Sequence, residues 1–189
     1  MTWLNHVKEL NRIMNDLSVF KNDGAETSID KAFLLWKKTT LSIREEKKTI
    51  FLIGNGASAS MASHVAADLA KNAQVRTEVF SDLSLITALA NDMGYENVFA
   101  EPLRRNMCTG DMLVAISSSG QSQNIIRAVE EAINIGGFVV TLSAMKRENK
   151  LISMGMLNFY VPADTYGNAE TCHAAILHYW IDQTIIDRA

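Results

Sequence analysis

Thr49-Ile50-Phe51-Leu52-Ile53-Gly54-Asn55-Gly56-Ala57-Ser58 decides the fold. A nearly unbroken apolar run, rich in β-branched and aromatic side chains, stops at a glycine. A loop of small residues then leads into a stretch with helical spacing. A run apolar on both alternating faces reads as a strand buried on both sides, which is how strands of helix-covered parallel sheets look. Four more runs behave alike: Thr77-Glu78-Val79-Phe80, Met112-Leu113-Val114-Ala115-Ile116, Phe138-Val139-Val140-Thr141-Leu142 and Asn158-Phe159-Tyr160-Val161. Helical stretches lie between and after them at 58–72, 83–92, 122–135 and 168–186. Alternating strands and helices make right-handed βαβ crossovers. Residues 47–189 are therefore expected to form a three-layer, doubly wound α/β core around a five-stranded parallel sheet.

Upstream, residues 1–46 read as two helices. Leu4, Val7, Leu10, Ile13, Met14 and Leu17 form one stripe, and Ala32, Leu35, Trp36, Leu41 and Ile43 form a second after a break at Asn22-Asp23-Gly24. Such stripes suit packing on the core or on another subunit. No linker divides the chain, and 189 residues suit one domain. The composition is 48% apolar and 21% charged, with ten glycines and two prolines, which excludes collagen-like and low-complexity classes. A net charge of −3 offers no basic excess for a phosphodiester backbone, so nucleic acid is not an expected partner. Two cysteines, Cys108 and Cys172, are too few for a disulfide scaffold and fit a reducing compartment. The N-terminus lacks the basic-then-apolar order of a signal peptide, and no segment reads as a membrane span of about 20 apolar residues. A soluble, cytoplasmic protein is expected.

In doubly wound sheets, ligands bind beyond the carboxyl ends of the strands. Two loops are unusual there. Gly54-Asn55-Gly56-Ala57-Ser58-Ala59-Ser60 combines glycines that let backbone approach a ligand with serines suited to capping a helix. Ser117-Ser118-Ser119-Gly120-Gln121-Ser122 offers four hydroxyls and free N–H groups at a helix start, an anion cradle favoured by the helix dipole. Neither is a P-loop or a dinucleotide fingerprint, since no Gly-Lys-Ser/Thr follows and Ala59 stands where a third glycine would. A monophosphate held by hydroxyls and amides fits both loops.

Three of the four histidines sit in two helical stretches. His64 and Asp68 are spaced i, i+4 and share a face. Glu170 and His178 lie eight residues apart, about 80° around a helix axis and so on one side of it. Imidazoles and carboxylates from two helices suit zinc or a similar divalent ion; a solvated His–Asp pair with surface polar residues is the plainer alternative. His173 reads as structural and Cys172 as a small core residue. Asn91-Asp92-Met93-Gly94 reads as a helix end and turn that could also present an amide and a carboxylate to substrate hydroxyls.

Taken together, Gly54-Asn55-Gly56-Ala57-Ser58, His64-x-x-x-Asp68, Asn91-Asp92, Ser117-Ser118-Ser119-Gly120-Gln121-Ser122 and Glu170 with His178 resemble, in order and spacing, the sugar isomerase (SIS) domains, and among them the phosphoheptose isomerases. The resemblance spans essentially the whole chain, 1–189, as a single SIS domain with a flavodoxin-like sheet. It implies isomerisation of sedoheptulose 7-phosphate to D-glycero-D-manno-heptose 7-phosphate through an enediol, in a cytoplasmic homotetramer with sites at subunit interfaces. It also implies that Ser117, Ser118, Ser119 and Ser122 grip the phosphate, and that Asn55, Gly56, Ala57, Ser58, Asn91 and Asp92 line the sugar. Asp68 and Glu170 are implied to touch substrate as well. His64, Asp68, Glu170 and His178 stand at the family's zinc-ligand positions, one divalent metal per site. Asp68 is carried over as the enediol base and His178 as the partnering acid, with Glu170 the alternative base. The chain departs from the family in having Asp68 where glutamate is usual and Glu170 where glutamine is usual. Two other readings stay open: a non-catalytic SIS phosphosugar-binding or scaffold protein, and an isomerase of a different ketose phosphate.

Overall fold

The computed structural model describes residues 2–185; Ile186, the last residue of the expected final helix, lies outside the described residues. Helix α1 (Trp3–Asn15) leads into a small hairpin, β1 (Ser18–Phe20) and β2 (Glu26–Thr27), and then α2 (Ile29–Glu45). The alternating core follows: β3 (Thr49–Gly54), α3 (Ala57–Asp68), β4 (Arg76–Val79), α4 (Leu83–Met93), α5 (Ala100–Asn106), β5 (Met112–Ser117), α6 (Gln123–Ile135), β6 (Phe138–Ala144), β7 (Leu157–Val161) and α7 (Tyr166–Ile185). Strand order across the sheet is β2-β1-β7-β6-β5-β3-β4. β3 to β7 pair in parallel, as expected.

The sheet has seven strands rather than five, because the break expected between two helices is a hairpin. Gly24 takes a φ of +77°, the Asp23 side chain accepts the Ala25 N–H, and β1 pairs antiparallel with both β2 and β7. Strands of three and two residues are too short to carry a period-two signal. The short helix α5 is a further element beyond those expected. The stretch expected as one helix over 58–72 changes character at Asp68, where α3 gives way to a π-turn, Leu69–Ala73, ended by Gln74 at φ +54°.

Pleating sends neighbouring residues of each strand to opposite layers. Ile50, Leu52, Val114 and Ile116 pack with Trp36 of α2, Val65 of α3 and Leu177 of α7 on one face. Phe51, Ile53, Leu113 and Ala115 pack with α5 and α6 on the other. The first two helices join this core: the Trp36 and Trp180 rings stack 4.2 Å apart and Ile13 is buried. Helix α4 differs, burying none of its residues fully.

Two buried polar residues fix the layer under α7. Asn158 accepts from Thr141 Oγ1 (2.8 Å) and Gly155 N–H (2.7 Å) and donates to the carbonyls of Phe20 (3.0 Å) and Gly155 (2.7 Å). One side chain thus ties the hairpin, β6 and the turn before β7. His173 is the structural residue expected: fully buried, its Nε2–H donates to the Ser143 carbonyl at 3.2 Å, which leaves Nδ1 unprotonated. Burial pushes its pKa down from 6.5 to about 4, against the smaller opposing effect of the Ser143 bond.

Asn158→Ala removes the side-chain partner of the Gly155 N–H and of the Phe20 and Gly155 carbonyls, while Thr141 keeps the Leu151 carbonyl, so it should cost about 3 kcal/mol, read as a drop in the urea midpoint. For His173, the unfolded chain takes up a proton near pH 6.5, whereas the folded chain resists until about pH 4. Stability is therefore full above the higher value and falls as pH drops through this window, by about 3 kcal/mol in all. Urea midpoints at pH 7.5 and 4.5 should fall much further for the wild type than for His173→Gln, which does not titrate.

Candidate active site

The loop after β3 is shaped by its glycines. A Cβ on Gly54 would lie 2.6 Å from the Ser58 backbone, so only glycine lets α3 start this close to the strand; Gly56 turns the chain at φ +57°. The expected serine cap is absent: Gly56 is the N-cap, and Ser58 is buried inside the first turn of α3. The Asn55 side chain pairs reciprocally with Asn124 (3.0 and 2.9 Å) and accepts from the Tyr95 hydroxyl at 3.2 Å.

After β5, Gly120 sits at φ +60° and packs so tightly on Asn149 that a Cβ there would clash with its side chain. Ser117 and Ser118 are buried, Ser117 Oγ lies 3.4 Å from Ser122 Oγ, and the Ser122 hydroxyl does not cap α6. A cavity of about 170 Å³ opens here, lined by Ser117, Ser118, Ser119 and Ser122 together with Asn55 and Ser58, and closed on its α7 side by Tyr166 and Glu170. No lysine or arginine lines it. Hydroxyls and amides must meet the charge of any bound anion, and Glu170 is the one charged neighbour.

α3 and α7 both begin at this cavity and run away from it together. Further along, His64 Nε2 stands 3.4 Å from Asp68 Oδ2, and the His64 and His178 rings are 5.4 Å apart. One ligand atom from each of His64, Asp68 and His178 falls within 4.8 Å of the others. Two imidazoles and a carboxylate are a donor set that zinc accepts, with a position left open. Ligand atoms about 2.0–2.1 Å from a tetrahedral ion sit about 3.3 Å apart, close to the His64–Asp68 spacing. The residues therefore fit a divalent metal. Glu170 stands elsewhere: it lines the serine cavity, eight residues and about 12 Å along α7 from His178.

Of the other expected residues, Gly56 and Ala57 sit at the start of α3. Asn91 and Asp92 are exposed at the end of α4, with Asn91 Nδ2 donating to Asp92 Oδ1 at 2.8 Å; they line neither the serine cavity nor the apolar one beneath α4. Cys172 is a core residue whose thiol is pushed up by burial, and Cys108 is exposed. Three residues of the site were not read from sequence: Asn124, Tyr95 and Tyr166. Tyr166 lies four residues before Glu170, and that spacing was the available signal for a shared face. Asn124 is a lone polar residue on the buried face of α6, beside Ile125, Ile126 and Ala128.

Comparison with known proteins bears on the same elements. The family described as SIS domain matches residues 10–144. A phosphoheptose isomerase of Helicobacter pylori is 36% identical over 145 residues, covering 73% of this chain and 74% of that one. A phosphoheptose isomerase of Sulfurimonas denitrificans is 34% identical over 172 residues, or 87% and 85% of the two chains. Among solved structures, a phosphoheptose isomerase from Francisella tularensis superposes with a TM-score of 0.82 at 26% identity over 100% of both chains. One from Neisseria gonorrhoeae gives 0.80 at 26% over 95% of both. With the strand order, the serine cavity and the His–Asp–His cluster already in place, these likenesses settle the family: the chain belongs to the SIS-domain proteins and, within them, to the phosphoheptose isomerases.

Proposed function

We propose that the chain is an aldose–ketose isomerase that converts sedoheptulose 7-phosphate to D-glycero-D-manno-heptose 7-phosphate. The observation that carries this reading is the pairing of a cation-free serine cavity with a His64–Asp68–His178 cluster on the two helices that leave it. A phosphosugar-binding scaffold would need the cavity alone. The first role of the chain is to hold the phosphate by Ser117, Ser118, Ser119 and Ser122, so that binding energy remote from the reacting carbons fixes their position. The second is proton transfer at those carbons. Asp68 is the base proposed to take the proton alpha to the carbonyl and return it to the neighbouring carbon. His178 is the acid proposed to protonate the carbonyl oxygen, which gives the enediol, and then, deprotonated, to take the proton of the neighbouring hydroxyl as the new carbonyl forms. Glu170 is the alternative base, since it stands at the cavity itself. Asn55, Gly56, Ala57 and Ser58 line the sugar in this reading, with Asn91 and Asp92 reached from the end of α4.

His64, Asp68 and His178 would hold a divalent ion, proposed to be zinc, with Glu170 a further ligand in the assembled site. A metal there supplies Lewis-acid stabilisation of charge developing on the sugar oxygens. Because Glu170 and the cluster lie two helical turns apart in one chain, we propose a cytoplasmic homotetramer whose sites are completed across subunit interfaces. Exposed Trp3, Leu4 and Val7 on α1 and Leu83, Leu85 and Met93 on α4 offer apolar surface for such contacts.

Isomerase assays on a panel of ketose phosphates should give turnover, highest with sedoheptulose 7-phosphate. His178→Ala should lower kcat by at least about 100-fold; an unchanged kcat removes His178 from the chemistry. Asp68→Asn and Glu170→Gln, measured side by side, identify the base as the one whose kcat falls by about 10²–10⁴-fold. Protein purified without added metal should carry about one zinc per chain. A chelator should abolish turnover and zinc should restore it, and full activity in metal-free protein would refute the metal site.

A further inference from the structure

Asn55 lies where two cavities meet: the serine cavity, and a mostly apolar one beneath α4 lined by Gly56, Phe80, Ile86 and Tyr95. Its orientation is fixed by a chain of hydrogen bonds that starts in the backbone. The Ile125 N–H, shared with the Ser122 carbonyl at 3.1 Å, reaches Asn124 Oδ1 at 3.0 Å; a backbone N–H repels an amide NH₂ at that distance, which favours the oxygen of the buried Asn124 amide on this side. With its oxygen placed, Asn124 accepts from Asn55 Nδ2 at 3.0 Å and donates from Nδ2 to Asn55 Oδ1 at 2.9 Å, closing an amide ring. The Tyr95 hydroxyl donates to the same Asn55 oxygen at 3.2 Å.

An amide oxygen accepts about two hydrogen bonds and its NH₂ donates two. Both acceptor sites of Asn55 are used, and so is one of its two N–H groups. A single N–H is left for a ligand. We propose that Asn124 and Tyr95 are positioning residues that hold Asn55 as a one-way donor, so that the site takes at this point a substrate oxygen acting as acceptor, whether carbonyl, phosphate or hydroxyl. A group that can only donate, such as an ammonium, would find no partner at this point, and that mismatch is the selective element. The identity of the substrate rests on the isomerase reading above; the orientation of the amide does not.

The device also couples three segments that share no sequence neighbourhood. Asn55 belongs to the loop after β3, Asn124 opens the helix that follows the serine loop, and Tyr95 sits just beyond α4. Displacing any one of them loosens the direction of the remaining N–H.

The test is a double-mutant cycle. Asn124→Asp keeps shape and the acceptor for Ile125, yet sets an oxygen against Asn55 Oδ1 and so releases the lock. In the wild-type background it should lower kcat/KM for sedoheptulose 7-phosphate by about tenfold or more, and lower the melting midpoint as well, since it buries a carboxylate without a cation. In an Asn55→Ala background it should change kcat/KM by less than about twofold, since the residue it acts through is gone. Tyr95→Phe removes one hydroxyl from an exposed side chain. It should lower kcat/KM about threefold and only while Asn55 is present; it keeps the cycle available if Asn124→Asp fails to fold. Effects that add across the cycle, or wild-type kcat/KM in both variants, overturn the proposal. A wild-type chain that turns over no ketose phosphate defeats the isomerase reading instead; the same cycle is then read on the dissociation constant for sedoheptulose 7-phosphate by calorimetry, with additivity or no change again overturning the lock.

Discussion

The parallel pairing of β3 with β5, in register from Ile50 opposite Met112 to Gly54 opposite Ile116, is the constraint on which the site depends. The chain winds from β3 outward to β4 and then returns to place β5 on the other side of β3. The two strands therefore end together while the helices that follow them leave on opposite faces: α3 packs with the layer of α2 and α7, and α6 with α5. A crevice at such a switch point is where open α/β sheets bind ligands. Here it receives both unusual loops at once. The Asn55–Asn124 amide ring spans this crevice, so the register of two buried strands is passed directly to side chains that face a ligand.

The cavity beside that crevice binds an anion, in the proposed function, without a cation of its own. Hydroxyls and amides tolerate this because they are fixed before the ligand arrives: Gly120 is pressed onto Asn149, and the Ala144 N–H donates to the Ser118 carbonyl at 3.0 Å. Preorganised dipoles pay little reorganisation cost on binding. Glu170 works against a dianion at the same place, so its carboxylate must be offset by whatever completes the site. That gives a physical reason for a metal or a neighbouring subunit to matter to phosphate affinity as well as to chemistry.

Much of this was legible in the residues. The five parallel strands announced themselves by short apolar runs, two of them stopping at Gly54 and Ser117, and the serine loop by four hydroxyls after the second of these. His64 and Asp68 could be paired from spacing alone because one helix carries both, and the structure finds them 3.4 Å apart. The β1–β2 hairpin was hidden because five strand residues hold no periodic signal, and their partner, Asn158, lies 138 residues from Phe20. Asn124 was hidden for the opposite reason. It interrupts an apolar helix face, where a polar residue reads as noise until its partner, 69 residues away, is known. Spacing along α7 could not say how far Glu170 stands from the His64–Asp68 pair, since sharing a side of a helix does not mean sharing a level.

That last distinction governs how the chain's two departures from the family pattern act. Shortening a carboxylate at position 68 moves its oxygens by about 1 Å, and lengthened reach elsewhere could compensate only from the same level of the site. Glu170 lies about 12 Å along α7 from His178, so within one chain it cannot stand in for the missing methylene. In the assembly proposed above, a longer carboxylate could reach that level only from a neighbouring chain; within the chain, only the surroundings of Asp68 bear on its placement. Asp68 is the last residue of α3 before the helix opens into a π-turn, a widening that recurs at functional sites. The turn changes the path of the backbone just beyond Asp68, while the i, i+4 relation to His64 is kept on the α-helical side. The π-turn therefore leaves the His64–Asp68 geometry as a regular helix sets it, and it redirects only the chain that follows. Within the chain Glu170 places its charge beside the serines, so the two departures act at different levels of the site.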